Sequence, residues 1–150
     1  MKITVKRIHL FMFLKLPLAF LAGVRVKDIS ENRVVVSIKH KWINQNPFKS
    51  MFWAAQGMAA EMSTGVLVMK AIAVSKEKVS MLVIQQEASF FKKATGKIVF
   101  SCDGATAISK AIQNSKETKE GQTFWLTSEG KNELGVVVSR FVFQWSVKVK

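Results

Sequence analysis

The sequence predicts an α+β domain in which one long buried helix is wrapped by an antiparallel sheet of about six strands. Three observations predict it. A nearly unbroken apolar block over 48–73 reads as a helix buried on almost all sides. Segments alternating apolar and polar at period two recur on both sides of that block. Clusters of Asp, Asn, Ser and Gly punctuate these segments where turns are needed.

The elements follow in order. Residues 1–24, MKITVKRIHLFMFLKLPLAFLAGV, set Lys2, Lys6 and Arg7 before an apolar stretch, as a signal peptide does. Lys15 and Pro17 interrupt that stretch, and no small-x-small cleavage site follows cleanly. It is also too broken to span a bilayer, which takes about 20 apolar residues. We therefore expect a short amphipathic helix over 8–15 that lays Phe11 and Leu14 on the domain; a signal peptide is the alternative. The segment 1–20 then packs on a single domain covering 1–150.

Val24 and Val26, then Val34, Val36 and Ile38, mark a β-hairpin over 24–39 that turns through Asp28-Ile29-Ser30-Glu31-Asn32. Within the apolar block, Gln56, Glu61, Ser63, Thr64 and Lys70 argue against a membrane span. Strands over 79–91 and 97–103 are expected to pair around Ala94-Thr95-Gly96. Ile108, Ala111 and Ile112 give 104–118 a helical period. Strands over 122–128 and 134–149 close the chain, and in the last one Phe141, Phe143, Trp145, Val147 and Val149 share a face.

Composition narrows the function. At 150 residues and 49% hydrophobic, the chain suits one domain with a real core. Cys102 stands alone, and His9 and His40 are far apart. A disulfide framework, a histidine-rich metal site and a Ser-His-Asp triad are thus poorly supplied. No metal or other cofactor is implied, and a reducing, cytoplasmic compartment is expected. The net charge of +13 attracts anionic partners: nucleic acid, anionic membrane, or a phosphate-bearing small molecule. The 23 basic residues are scattered, and only Arg7, Arg25, Arg33 and Arg140 are arginine, so sequence-specific nucleic-acid binding is not expected.

The stretch PLAFLAGVRVKDISENRVVVSIKHKWINQNPFKSMFWAAQGMAAEMSTG resembles the first half of hotdog-fold proteins related to phenylacetyl-CoA-type acyl-CoA thioesterases. The later EASFFKKATGKIVFSC resembles the strand-turn-strand that carries their aromatic and basic cluster. The resemblance covers roughly residues 16 to 148. It implies a hotdog fold, an acyl-CoA or similar thioester ligand, and a homodimer or dimer of dimers with sites at the subunit interface. In that family an asparagine ends the loop after the hairpin, a glycine pair opens the central helix, and a carboxylate follows two turns in. Asn46, Trp53-Ala54 and Glu61 fall on those positions here, and the glycine pair is missing.

Thioester hydrolysis needs preorganised donors for the oxyanion and a carboxylate to attack or to activate water. The unpaired N–H groups of a helix first turn supply the former at Trp53 and Ala54, with Phe52 beside them as a substrate-binding residue. Glu61, the only acid between Glu31 and Glu77, suits the latter, because burial would raise its pKa. Each assignment has a structural counterpart. Glu61 could instead pair with a lysine or hydrogen-bond across a dimer interface. Gln56 could line the cavity or bond within the core. Asn46 before Pro47 could simply be a helix N-cap. Lys92 and Lys93 could hold coenzyme A phosphates or sit on a solvated edge. Trp53 could narrow the acyl pocket or block it, the latter leaving a non-catalytic protein that binds acyl-CoA or another lipid-like ligand.

Overall fold

The computed structural model describes residues 2–150. Thr4 caps the first helix, α1 (Val5–Lys15), its hydroxyl accepting the Arg7 N–H at 3.4 Å. Pro17 ends α1 and opens α2 (Pro17–Leu21). Ile8 and Met12, four residues apart, are the side chains α1 buries. Phe11 and Leu14, expected to pack on the domain, are exposed instead. A stripe centred on 8 and 12 turns positions 10 and 14 toward solvent, so the expected face was rotated.

β1 (Arg25–Ile29) and β2 (Val34–Lys39) form the expected hairpin, with Val34 opposite Ile29 and Ser37 opposite Arg25. A 3-10 turn (Trp42–Asn44) and a loop then lead to α3 (Trp53–Ser75). Asn46-Pro47 does not start this helix; its N-cap is Phe52. The Asn46 Oδ1 instead accepts the N–H groups of Phe48 (2.9 Å) and Ser50 (3.2 Å), closing a turn of its own. A bridge between Gln45 and Met51 then returns the chain, so the helix cannot begin until the loop is complete.

β3 (Val79–Phe90), β4 (Lys97–Cys102), α4 (Ala105–Thr118), β5 (Gln122–Lys131) and β6 (Val137–Val149) complete the molecule. One six-stranded sheet runs in the order β1-β2-β4-β5-β6-β3, with every neighbouring pair antiparallel. The expected pairing of 79–91 with 97–103 does not occur. β3 lies along β6 from Val79↔Val149 to Phe90↔Ser139, and β4 sits between β2 and β5. Period-two alternation states which face of a strand is buried and says nothing about its neighbour. Burial fits the observed order. Ile98, Phe100 and Cys102 of the central β4 are buried, whereas β3, at the edge, has no fully buried residue.

α3 lies across the sheet, touching β1, β2, β4, β5 and β6. It is the one helix among the described residues long and apolar enough to cross a membrane, and its middle is core, with Val66, Leu67 and Val68 buried. Two polar ties set its rotation. Ser63 and Ser128 share a hydrogen bond at 2.7 Å, and the Trp145 indole N–H donates to the Thr64 hydroxyl at 3.1 Å. Gly65 admits the Trp145 ring, which a Cβ there would meet at 3.4 Å. The helix is thereby drawn against β6 with one face held in place.

Candidate functional site

A cleft of about 480 Å³ opens at the N-terminus of α3, a volume suited to a small organic ligand. Three separated segments build it: the 46–52 loop, the first turn of α3, and the 90–94 segment running off the end of β3. Backbone bonds join them, with Met51 N–H donating to the Ala94 carbonyl and Phe52 N–H to the Asn44 carbonyl, both at 2.8 Å. Asn44, buried, anchors the loop from below. Its Nδ2 donates to the carbonyls of Ala22 and Lys39 and its Oδ1 accepts the Lys41 N–H, all at 2.9 Å.

Of the residues the sequence singled out, Asn46, Phe52, Trp53, Gln56, Lys92 and Lys93 all line this cleft. Gln56 is buried at its base. Its Nε2 donates to the Met51 carbonyl at 3.2 Å, while its Oε1 has no hydrogen-bond partner among the described residues. Buried amide oxygens are rarely left unpaired, so this one marks a place for a ligand donor. Among the described residues no side chain caps α3, and Gln56 N–H is the first to reach back into the helix, bonding Phe52 O at 3.2 Å. The N–H groups of Trp53, Ala54 and Ala55 therefore have no intrahelical acceptor. Lys93 donates to the Phe48 carbonyl at 3.2 Å, whereas the Lys92 ammonium has no partner among the described residues.

Two residues lie elsewhere. Ala54 lines a separate groove with Leu18, Leu21, Ile43 and Met58. Glu61 is two turns along α3, on the face turned toward β6, where its Oε1 lies 3.2 Å from the position of a Cβ on Gly65. No described residue forms an ion pair or side-chain hydrogen bond with its carboxylate. Burial holds that carboxyl above its ordinary value. From the cleft wall, Phe90 meets Phe141 edge-on at 5.6 Å, and Phe141 in turn packs on Gly57, one turn before Glu61. Aromatic packing thus links the cleft to the carboxylate without placing the carboxylate in it.

Met51, Phe90 and Phe91 line the cleft and were not singled out as site residues. The pair Phe90-Phe91 directly before Lys92-Lys93 was the available signal; nothing local pointed to Met51 or Asn44. Elsewhere the options are few. Among the described residues no three His, Cys, Asp or Glu side chains stand close enough to hold a metal. The Cys102 thiol is buried and its pKa raised by that burial, which suits a core residue rather than a nucleophile.

No curated protein matches this chain. Solved structures do. A Pseudomonas aeruginosa protein of unknown function, described as a "Probable Thioesterase", superposes with a TM-score of 0.87 at 18% identity, over 100% of this chain and 99% of that one. A protein of unknown function from Chlorobaculum tepidum gives 0.86 at 13% identity, over 97% and 94%. A thioesterase from Haemophilus influenzae gives 0.73 at 10% identity, over 99% and 93%. At such identities the likeness establishes the fold, which is the hotdog fold the resemblance implied. The family model of a domain of unknown function, DUF4442, matches residues 5–147, and the chain belongs to that family.

Proposed function

We propose that this protein is an acyl-CoA thioesterase. The observation that carries the reading is the cleft at the start of α3, where free helix N–H groups, the unpaired Gln56 carbonyl and the Lys92 ammonium converge on an apolar hollow. The thioester oxygen docks on the first-turn N–H groups, which stabilise it as negative charge develops during attack. Phe48, Trp53 and Phe90 enclose the acyl chain, and Lys92 and Lys93 meet the phosphates of the coenzyme. Gln56 accepts a hydrogen bond from substrate or from the attacking water. Glu61 is the base that activates that water, its burial holding the carboxyl above its ordinary value and so making the carboxylate a stronger base.

Glu61 lies outside the cleft of one chain, and we assign its approach to a dimer. β3 is an edge strand with a single charge, Glu87, and with Leu82 and Ile84 exposed, which leaves a row of main-chain groups open to a second copy. Pairing there brings the second subunit to the β6 side of α3, the side that Glu61 faces. The site is then completed at the subunit interface.

The test is thiol release from a panel of acyl-CoAs by wild type and by Glu61→Ala. We expect turnover by wild type and a loss of about a hundredfold or more in the variant. Equal rates would remove Glu61 from the mechanism, and no release from any substrate would remove the activity. One observation favours a second reading, a non-catalytic acyl-CoA binder: Trp53, 52% exposed, stands edge-on to Phe52 at the mouth of the cleft. Tight calorimetric binding without turnover would select it.

A further inference from the structure

The first two helices bear an apolar face that the fold does not cover. Leu10, Phe13 and Leu14 share the outer side of α1, opposite the buried Ile8 and Met12. Leu14 is 62% exposed, and Leu18 and Leu21 of α2 are 72% and 65% exposed. Leu18 and Leu21 run into a groove of about 300 Å³ whose far wall is Ile43, Phe52 and Met58. Trp42, 83% exposed, sits next to Ile43 on the adjoining 3-10 turn. A contiguous set of this kind is a docking surface rather than scattered exposure.

Its charge says what it meets. Residues 2–27 carry Lys2, Lys6, Arg7, Lys15, Arg25 and Lys27 and no acid at all. Lys6 precedes Leu10 by four residues and so lies on the same outer side. Lys15 and Lys41 flank the apolar side chains at α1's end and beside Trp42, and both are exposed. Arg25 is occupied, lying 3.8 Å over the Phe20 ring and donating to the carbonyls of Phe20 and Val24. An exposed Leu/Phe/Trp surface bordered only by cations matches the chemistry of an anionic lipid headgroup layer over acyl chains. A nucleic-acid backbone would take the cations and leave the leucines in water. α1 packs on β1, at the opposite end of the strand order from β3, while Ile3 just before it shares a hollow with Val79 and Met81 of β3.

We propose that α1, α2 and the Trp42-Ile43 turn seat this protein peripherally on an anionic lipid bilayer, leucines in the acyl boundary and lysines among the headgroups. The inference does not depend on the catalytic reading. Phe52 lines both the cleft and the groove, so the docked face lies directly beside the cleft.

Flotation with phosphatidylcholine vesicles, plain or with about a quarter phosphatidylglycerol, tests it on the full chain. We expect binding to the anionic vesicles, weak binding to the neutral ones, and a blue shift of tryptophan emission that Trp42→Phe reduces. Leu14→Glu with Leu18→Glu should lower vesicle partitioning by about a hundredfold, and Lys6→Glu with Arg7→Glu by at least about tenfold. All four positions are exposed, and circular dichroism confirms that the variants fold. Three outcomes would overturn the inference: no partitioning of wild type into anionic vesicles, equal partitioning of the leucine variant, or retention on duplex DNA but not on vesicles. A loss of self-association in the leucine variant, with vesicle binding intact, would assign the face to a second copy instead.

Discussion

Replacing Thr64 by valine tests how α3 is held against the sheet. The side chains have nearly the same shape, so the change leaves no cavity and removes one hydroxyl. That hydroxyl accepts the Trp145 indole N–H at 3.1 Å, in a place where Trp145 is 3% exposed and water has no access. The donor is left buried and unpaired, at a cost of about 1–3 kcal/mol. The hydroxyl's own bond to the Glu61 carbonyl, 2.9 Å, adds little, since that carbonyl keeps its helical partner. For a 150-residue domain each kcal/mol moves Tm by about 2–4 °C, so a fall of about 2–12 °C is expected. Trp145→Phe removes the donor as well as ring area and is destabilising by itself. In the double variant no orphaned N–H remains, so the two costs sum to more than the measured total by about 1 kcal/mol or more. Urea denaturation of the four proteins gives this coupling. Additivity within about 0.5 kcal/mol would show that the bond contributes nothing to holding the helix.

Three further outcomes are expected. Burial raises the Glu61 carboxyl above its unfolded value, so the native state holds the proton longer, and stability falls as pH rises through the interval between the two values. Glu61→Gln therefore melts higher than wild type at pH ~7, with the difference vanishing below the unfolded carboxylate pKa of about 4; equal melting at both pH values would refute the buried charge. Trp53→Ala opens the mouth of the cleft and should shift relative kcat/KM toward bulkier acyl groups; an unchanged acyl profile would take Trp53 out of the pocket wall. Light scattering at micromolar concentration should give a dimer that Leu82→Lys with Ile84→Lys converts to monomer, and a wild-type monomer would refute pairing through β3.

Much of the fold was legible because burial leaves a period in the residues that line a face. The hairpin and the last strand, with Phe141 to Val149 facing inward, stand where the alternation put them, and the apolar block over 48–73 holds the central helix, which begins only at Trp53. The N-terminal helix was legible as a helix and misread as a face, since Phe11 and Leu14 look as apolar as Ile8 and Met12. Asn46-Pro47 has the chemistry of a helix start, but its side chain is taken up by a turn that only the bridge between Gln45 and Met51 makes necessary.

The sequence by itself determined an α+β chain with one central apolar helix, and it named six of the thirteen residues that line the cleft. Local pattern reports the environment of each face, and those environments are set by burial. Tertiary structure alone decided that β3 lies beside β6, that Ala94 receives Met51, and that Glu61 faces β6 rather than the cleft. These are relations between segments tens of residues apart. They follow from which surfaces can be buried together, a property that no single segment carries.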